Sequence, residues 1–311
     1  MKIGILSTSS IAPRFIAAAR EEGTFEIVAL SSRTQEKAEE KAKAWDIPKA
    51  YGSHEALLTD QDVDIVYISC VNSAHYTWAK AALLAGKHVI CEKPCTTTES
   101  QTRELFHLAE EKGLFLMEAQ KMLFLPAVLA AKEAIQSGKL GRVRIAEFNH
   151  SFYGSYNSWM YDESMGGGPL LSSAIYVIEL LQFLFDCDVA QVSGICAKHP
   201  GTNVEEQYVI GGRMENGVLF SLKNSTVALM KNTACIYGEA GSLELPEYWK
   251  ARAVAFSDGE ARECPCRHEL VYEVRHIADC FRKGLTESPV VTGEFSARAI
   301  RVLEQIKAQW N

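Results

Sequence analysis

Residues 64–98 read DIVYISCVNSAHYTWAKAALLAGKHVICEKPCTTT. The opening DIVYISC, 64–70, is a continuous apolar run, the pattern of a strand buried on both faces. Residues 74–85 predict a helix rich in alanine and leucine, closed by Gly86 just past its end, where a left-handed residue is favoured. Residues 88–91 predict the next strand. Strand, helix and strand joined by connections this short read as one parallel βαβ unit with a right-handed crossover.

The same alternation continues on both sides. Upstream, 2–6 and 26–31 predict strands, and 11–22 and 34–45 predict helices. Downstream, 99–112 predicts a helix closed by Gly113, followed by a strand over 114–118. Residues 1–121 therefore predict an α/β Rossmann domain, a doubly wound parallel sheet. After Leu123 the pattern changes: a helix over 127–137, an extended stretch over 142–152, the turn Gly166-Gly167-Gly168-Pro169 and a long apolar helix over 170–185. Strands over 189–197, 206–214, 218–227 and 233–237 then follow without helices between them, with Asn216-Gly217 marking a hairpin. Helices over 269–283 and 294–308 finish the chain. Residues 122–311 predict an α+β domain on a mainly antiparallel sheet, its C-terminal helix able to pack back on the first domain.

Length and composition agree with two ordinary globular domains: 311 residues, 47% apolar and 23% charged. A net charge of −7 argues against a nucleic-acid partner, which needs a basic surface. No run approaches the ~20 apolar residues of a membrane span, and MKIGILSTSS lacks the apolar core and cleavage site of a signal peptide. The nine cysteines are odd in number and contain no CxxC pair, so reduced thiols and a cytoplasmic location are expected. Cys264, Cys266 and His268 come nearest to a zinc ligand set, but no second ligand pair accompanies them and no metal is expected.

Two turns carry candidate cofactor chemistry. Ser7, Thr8, Ser9, Ser10 and Ile11 stand between the first strand and helix, where helix N-terminal N–H groups meet a pyrophosphate. The glycine fingerprint is missing, with Ser7, Ser9 and Ala12 at its three positions, so an ordinary β-turn-helix stays equally open. The second strand ends in Ser31-Ser32-Arg33-Thr34 with Lys37 one turn on. An NAD enzyme often has an acid here for the ribose 2′-OH. Hydroxyl plus guanidinium suits a 2′-phosphate instead, against the plainer alternative of a solvated Arg33 beside a surface helix.

Asn72-Ser73-Ala74-His75, Ala85-Gly86-Lys87-His88-Val89 and Glu92-Lys93-Pro94 resemble, in order, motifs of the glucose–fructose oxidoreductase, inositol dehydrogenase and rhizopine-catabolism family, Gfo/Idh/MocA. Ser32-Arg33, Met117-Glu118-Ala119, and Gly166-Gly167-Gly168 followed by Leu170 and Tyr176 extend the resemblance to about Phe185. The resemblance implies a Rossmann domain followed by an open-faced sheet, and a dehydrogenase acting on a sugar, cyclitol or dihydrodiol with NADP or NAD, NADP being favoured by Arg33. It implies that Lys93 lies near the nicotinamide and the reacting oxygen, with Cys70, Asn72, His75 and Glu92 near the cofactor. Many relatives have Asp at the position of Ser172; its absence with Tyr176 retained resembles the dihydrodiol-dehydrogenase-like branch, where the tyrosine is the acid/base partner. A packing role for Tyr176, and a helix start for Asn72 and His75, stay open as the plainer alternatives. Glu118, Gln120, Trp159 and Tyr161, with Asp162, are weaker substrate-binding candidates. An open sheet face implies a homodimer or higher homo-oligomer. A dinucleotide sensor without turnover and a dinucleotide-dependent glycosidase stay open.

Overall fold

The computed structural model describes residues 1–152, 158–265 and 268–310. They form two compact units: 1–120 with 268–297, and 121–267 with 298–311 as far as these are described.

The first unit alternates β1 (Lys2–Leu6), α1 (Ala12–Glu22), β2 (Glu26–Ser31), α2 (Gln35–Trp45), β3 (Lys49–Tyr51), α3 (His54–Thr59), β4 (Ile65–Ile68), α4 (His75–Leu84), β5 (His88–Glu92), α5 (Glu99–Lys112) and β6 (Leu116–Ala119). The strands lie in the order β3-β2-β1-β4-β5-β6, every pair parallel. The order reverses between β1 and β4, where a doubly wound sheet opens its ligand crevice. Helices on both sides explain why Ile65–Ile68 is buried throughout. Phe15 of α1 stacks on Tyr67 of β4 with ring centres 3.7 Å apart and planes at 6°. Local chemistry sets the helix ends. The Thr34 and Thr98 hydroxyls accept the N–H groups of Lys37 and Gln101 at the starts of α2 and α5. Gly113 closes α5 at φ 63°. The β3–α3 excursion goes beyond the sequence expectation. A three-residue strand is too short to show a period, although Ser53 caps α3 by accepting from Ala56 N–H.

The second unit contains α6 (Pro126–Gln136), β7 (Val143–Ser151), α7 (Ile175–Phe185), β8 (Val189–Lys198), β9 (Glu205–Met214), β10 (Leu219–Ser225), β11 (Thr233–Gly238), β12 (Ser242–Pro246), β13 (Ala253–Phe256) and β14 (Ala261–Glu263). These strands form one eight-stranded sheet, β14-β13-β12-β11-β7-β10-β9-β8. It is antiparallel except that β7 and β10 run parallel. Alternation along the strands separates two faces. Phe148, Ile210, Leu222 and Ile236 are buried on one, while Ile195, Val209, Leu219 and Tyr237 are exposed on the other. The short strands β12 to β14 are not expected from the sequence, whose predicted strands end at residue 237. The stretch Glu163–Phe185 is long and apolar enough to cross a membrane by length and composition, and its most apolar window is mostly buried inside the protein.

Helix α8 (Val271–Arg282) belongs to the first unit. Its Phe281 packs against Phe25, His88 and Phe115, ring centres 6.0, 5.2 and 4.7 Å away. The boundary between the units falls within α9 (Gly293–Ala308), after Ala297.

Candidate active site

The parallel register brings Leu6, Ile68, Cys91 and Glu118 level across β1, β4, β5 and β6. The residues just beyond them therefore share the carboxyl edge of the sheet. Ser7 leaves β1 with φ 92°, the left-handed conformation that the first glycine of a dinucleotide fingerprint adopts freely. A side chain there costs about 1–2 kcal/mol. Ser7 N–H donates to the Ser31 carbonyl at 3.2 Å, and the Ser9 hydroxyl donates to that of Ser69 at 2.8 Å, tying the turn to β2 and to the end of β4. Thr8 and Ile11 are half-buried and Ser10 is exposed. Helix α1 then opens with a proline in its first turn and no side-chain cap. A left-handed turn running into an uncapped helix N-terminus fits a dinucleotide pyrophosphate, which backbone N–H groups would meet.

At the end of β2 two hydroxyls already make bonds within the protein. Ser31 bonds His54 Nδ1 at 2.8 Å, and Thr34 caps α2. Ser32 is buried, and its N–H donates to the Tyr51 carbonyl at 3.0 Å. Arg33 and Lys37 are exposed cations. Burial holds His54 below its ordinary pKa, and the Arg33 charge pushes the same way. A 2′-phosphate here would be met by the Arg33 guanidinium and the Lys37 ammonium.

The Glu92-Lys93-Pro94 turn is braced from beneath. Tyr67 donates its hydroxyl to Glu92 Oε1 at 2.6 Å. The Lys93–Pro94 peptide is cis. His75, 1% exposed, faces the Pro94 carbonyl through Nδ1 at 2.8 Å and the Cys70 carbonyl through Nε2 at 3.1 Å. Burial lowers its pKa, and a neutral ring has one N–H to give, so it serves one of these carbonyls at a time. Glu118, wholly buried, accepts the Cys95 N–H at 2.9 Å. Lys93 itself is half-buried at the sheet edge. Cys70 is held as a thiol, its pKa pushed up to about 12 by burial. Asn72 is buried at the start of a short 3-10 helix, Asn72–Ala74, that leads into α4. Gln120 is fully buried beside Glu118, and its N–H donates to the Glu118 carbonyl at 3.0 Å. Glu118 and His75 thus turn toward the protein and support the lysine turn.

In the second unit Tyr176 is buried as the second residue of α7. The preceding Leu170–Ala174 forms a π turn. The glycines explain themselves: a Cβ at Gly167 would lie 2.5 Å from the Met160 carbonyl oxygen, and one at Gly168 2.4 Å from Glu205 Oε1. The Ser172 hydroxyl donates back to the Gly168 carbonyl at 2.9 Å. Trp159 and Tyr161 lie on the 3-10 helix Ser158–Tyr161 and are half-buried. Tyr161 stacks on His199 with ring centres 4.0 Å apart, and Asp162 caps the next turn by accepting from Ser164. Residues 153–157, just before these substrate-binding candidates, lie outside the described residues, as does Cys266 of the weak zinc candidate.

Sequence reasoning missed Tyr67, Ser69 and Glu205. A tyrosine inside an apolar strand signals that its hydroxyl needs a partner, but that signal does not say which one. Ser69 and Glu205 carry no local signal, because their partners are 60 and 35 residues away.

Comparison with known proteins bears on the whole chain. Residues 1–120 match the family model described as "Oxidoreductase family, NAD-binding Rossmann fold", and residues 128–244 match the "GFO/IDH/MocA C-terminal domain". The trans-1,2-dihydrobenzene-1,2-diol dehydrogenase of Mus musculus is 30% identical over 99% of this chain and 96% of its own length. That of Oryctolagus cuniculus is 31% identical over 97% and 96%. Among solved structures, a 3-ketoreductase from Actinomadura kijaniata in complex with NADP and TDP-benzene superposes with a TM-score of 0.92 at 24% identity, covering 100% of this chain and 98% of that one. An aldose-aldose oxidoreductase from Caulobacter crescentus complexed with glycerol gives 0.89 at 23% identity, covering 99% and 97%.

Proposed function

The chain belongs to the GFO/IDH/MocA oxidoreductase family, with its NAD-binding Rossmann fold, and from that premise we propose that it is an NADP-preferring dehydrogenase of a small polyol, with a trans-dihydrodiol as first candidate and sugars and cyclitols next. The observation that carries the reading is the braced Glu92-Lys93-Pro94 turn at the carboxyl edge of the sheet, beside a left-handed serine turn and an uncapped helix start. When bound, the nicotinamide supplies or accepts the hydride. The chain's own residues manage the substrate oxygen, whose charge changes as the carbon is oxidised or reduced. Lys93 stabilises the developing negative charge through its ammonium, which the bracing by Tyr67, His75 and Glu118 aims. Tyr176, by its likeness to the acid/base tyrosine of the dihydrodiol-dehydrogenase-like branch, gives or takes the proton at the substrate oxygen. Arg33 and Lys37 bind the 2′-phosphate, and the N–H groups of the 7–11 turn bind the pyrophosphate.

Two finer parts complete the proposal. The exposed face of the second unit's sheet carries in-register apolar rows, Tyr237–Ile145–Leu219 across three strands and Ile195–Val209 across two, which support a homodimer through this face. Cytoplasmic residence is the other, supported by the free thiols of the eight described cysteines.

The test is oxidation of trans-1,2-dihydrobenzene-1,2-diol, aldoses and inositols with NADP and with NAD, followed by nicotinamide absorbance and product analysis. Net cofactor reduction is expected. Glycosidic cleavage without net reduction, or no turnover of any alcohol, overturns the reading. Arg33→Ala should weaken NADPH by roughly 10- to 100-fold, the scale of one charge-assisted contact, while sparing NADH. Equal losses for both cofactors would sink the preference.

A further inference from the structure

Glu205 is the first residue of β9, buried at 7% exposure, and its Oε1 accepts the N–H of Leu170 at 2.7 Å. Leu170 opens the π turn that runs into α7, and Tyr176 follows six residues later. Two further contacts hold the same point. Tyr208 of β9 donates its hydroxyl to the Pro169 carbonyl at 3.4 Å, and Gly168, at φ 103°, leaves only enough room for the carboxylate to approach. The Ser172 N–H and hydroxyl both return to the Gly168 carbonyl, at 3.2 and 2.9 Å. The start of the tyrosine helix is therefore strapped to the edge of β9.

An ordinary helix cap does not need this residue. Exposed Ser, Thr or Asp caps at little cost, whereas burying a carboxylate is expensive unless its hydrogen bonds are well made. Burial has raised the Glu205 pKa accordingly. What a fixed starting point gives a helix is its rotation: each residue of register turns the side chains by about 100°. A long phenol less than two turns away moves by ångströms when that start slips, and a misplacement of about 1 Å costs on the order of 100-fold in rate. We propose that Glu205 is a positioning residue for Tyr176, holding the π turn so that the helix presents the phenol hydroxyl at one rotation. The inference rests on the reading of Tyr176 as proton donor, and it accounts for the third glycine of the Gly166-Gly167-Gly168 run as the space that the carboxylate occupies.

The experiment is a double-mutant cycle in the full-length enzyme with trans-1,2-dihydrobenzene-1,2-diol and NADP, together with amide hydrogen exchange over 170–176. Glu205→Gln keeps an acceptor for Leu170 and should stay within about threefold of wild-type kcat. Glu205→Ala removes it and should lower kcat by roughly tenfold or more, with KM and NADPH affinity changed less than about twofold. Gly168→Ala, which drives a methyl onto the carboxylate, should reproduce that loss. In a Tyr176→Phe background both losses should shrink to less than about twofold, since no hydroxyl is left to aim. Exchange over 170–176 should quicken in Glu205→Ala and Gly168→Ala but not in Glu205→Gln. If Glu205→Ala does not fold, Gly168→Ala carries the cycle. A Tyr176→Phe enzyme near wild-type rate removes the reading of Tyr176 itself. A slow Tyr176→Phe enzyme combined with equal Glu205→Ala losses in both backgrounds, or unchanged exchange over 170–176, overturns the positioning role.

Discussion

The proposed roles of Lys93 and Tyr176 at the substrate oxygen are each tested by removing single atoms. Lys93→Met keeps length and apolar bulk while removing the charge, and kcat should fall by roughly 100-fold or more, the scale of one lost stabilising donor. Tyr176→Phe removes only the hydroxyl and should cost about 100- to 10,000-fold. NADPH titration should find both variants binding normally. If steady-state kcat of Tyr176→Phe stays within about threefold of wild type, a change under about 1 kcal/mol, the tyrosine is a packing residue. At this scale the sequence showed which residue types were present but not how they were engaged. His75 and Glu118 stood among cofactor and substrate candidates, and in the fold their polar atoms hold the Pro94 and Cys95 backbone.

The connection between β1 and α1 is where an element departs most from its usual sequence. Serine replaces glycine at residue 7, yet the backbone keeps φ 92°. The Ser7 bond to the Ser31 carbonyl offsets part of the cost of a left-handed side chain. Ser9 then locks the turn to the end of β4 through Ser69. Ser9→Val breaks that lock, worth about 1 kcal/mol, and adds bulk where a pyrophosphate would pass. The dissociation constant for NADPH should rise by about tenfold or more while the melting temperature drops only a few degrees. Unchanged cofactor affinity would mean that the pyrophosphate does not pass this turn. The periodicity of α1 and β1 was plain in the sequence. The serine-to-serine bond was not, because its partners lie 60 residues apart.

For the whole molecule, the open face of the second unit's sheet is the feature left to account for. Ile195 is 75% exposed and Val209 50%, and they face each other across β8 and β9. Apolar side chains in register on a sheet face gain roughly 25 cal/mol per Å² when covered, and a self-complementary patch is most simply covered by a second copy. Val209→Asp places a charge in that patch and should convert a dimer to monomer, by sedimentation velocity, at concentrations where wild type stays associated. A wild-type chain that sediments as a monomer at micromolar concentration ends the dimer proposal.

The sequence by itself determined what depends on neighbours along the chain. Apolar runs of period two or full burial marked the long strands, alanine-rich repeats closed by glycine marked the helices, and the ordered Asn72–His75 and Glu92–Pro94 segments pointed to the oxidoreductase family. These signals are local because a strand or helix must bury its own face wherever the chain later goes. Tertiary structure decided what depends on distant partners. The parallel pairing of β7 with β10, between residues 74 positions apart, is one case, since strand periodicity is the same for either direction. The attachment of α8 to the first unit through Phe281 is another, because an amphipathic helix shows that it has an apolar face but not which surface will cover it. The strap from Glu205 to Leu170 is the third: a glutamate at the start of a strand reads as a solvated residue until folding buries it and brings the Leu170 N–H to its carboxylate.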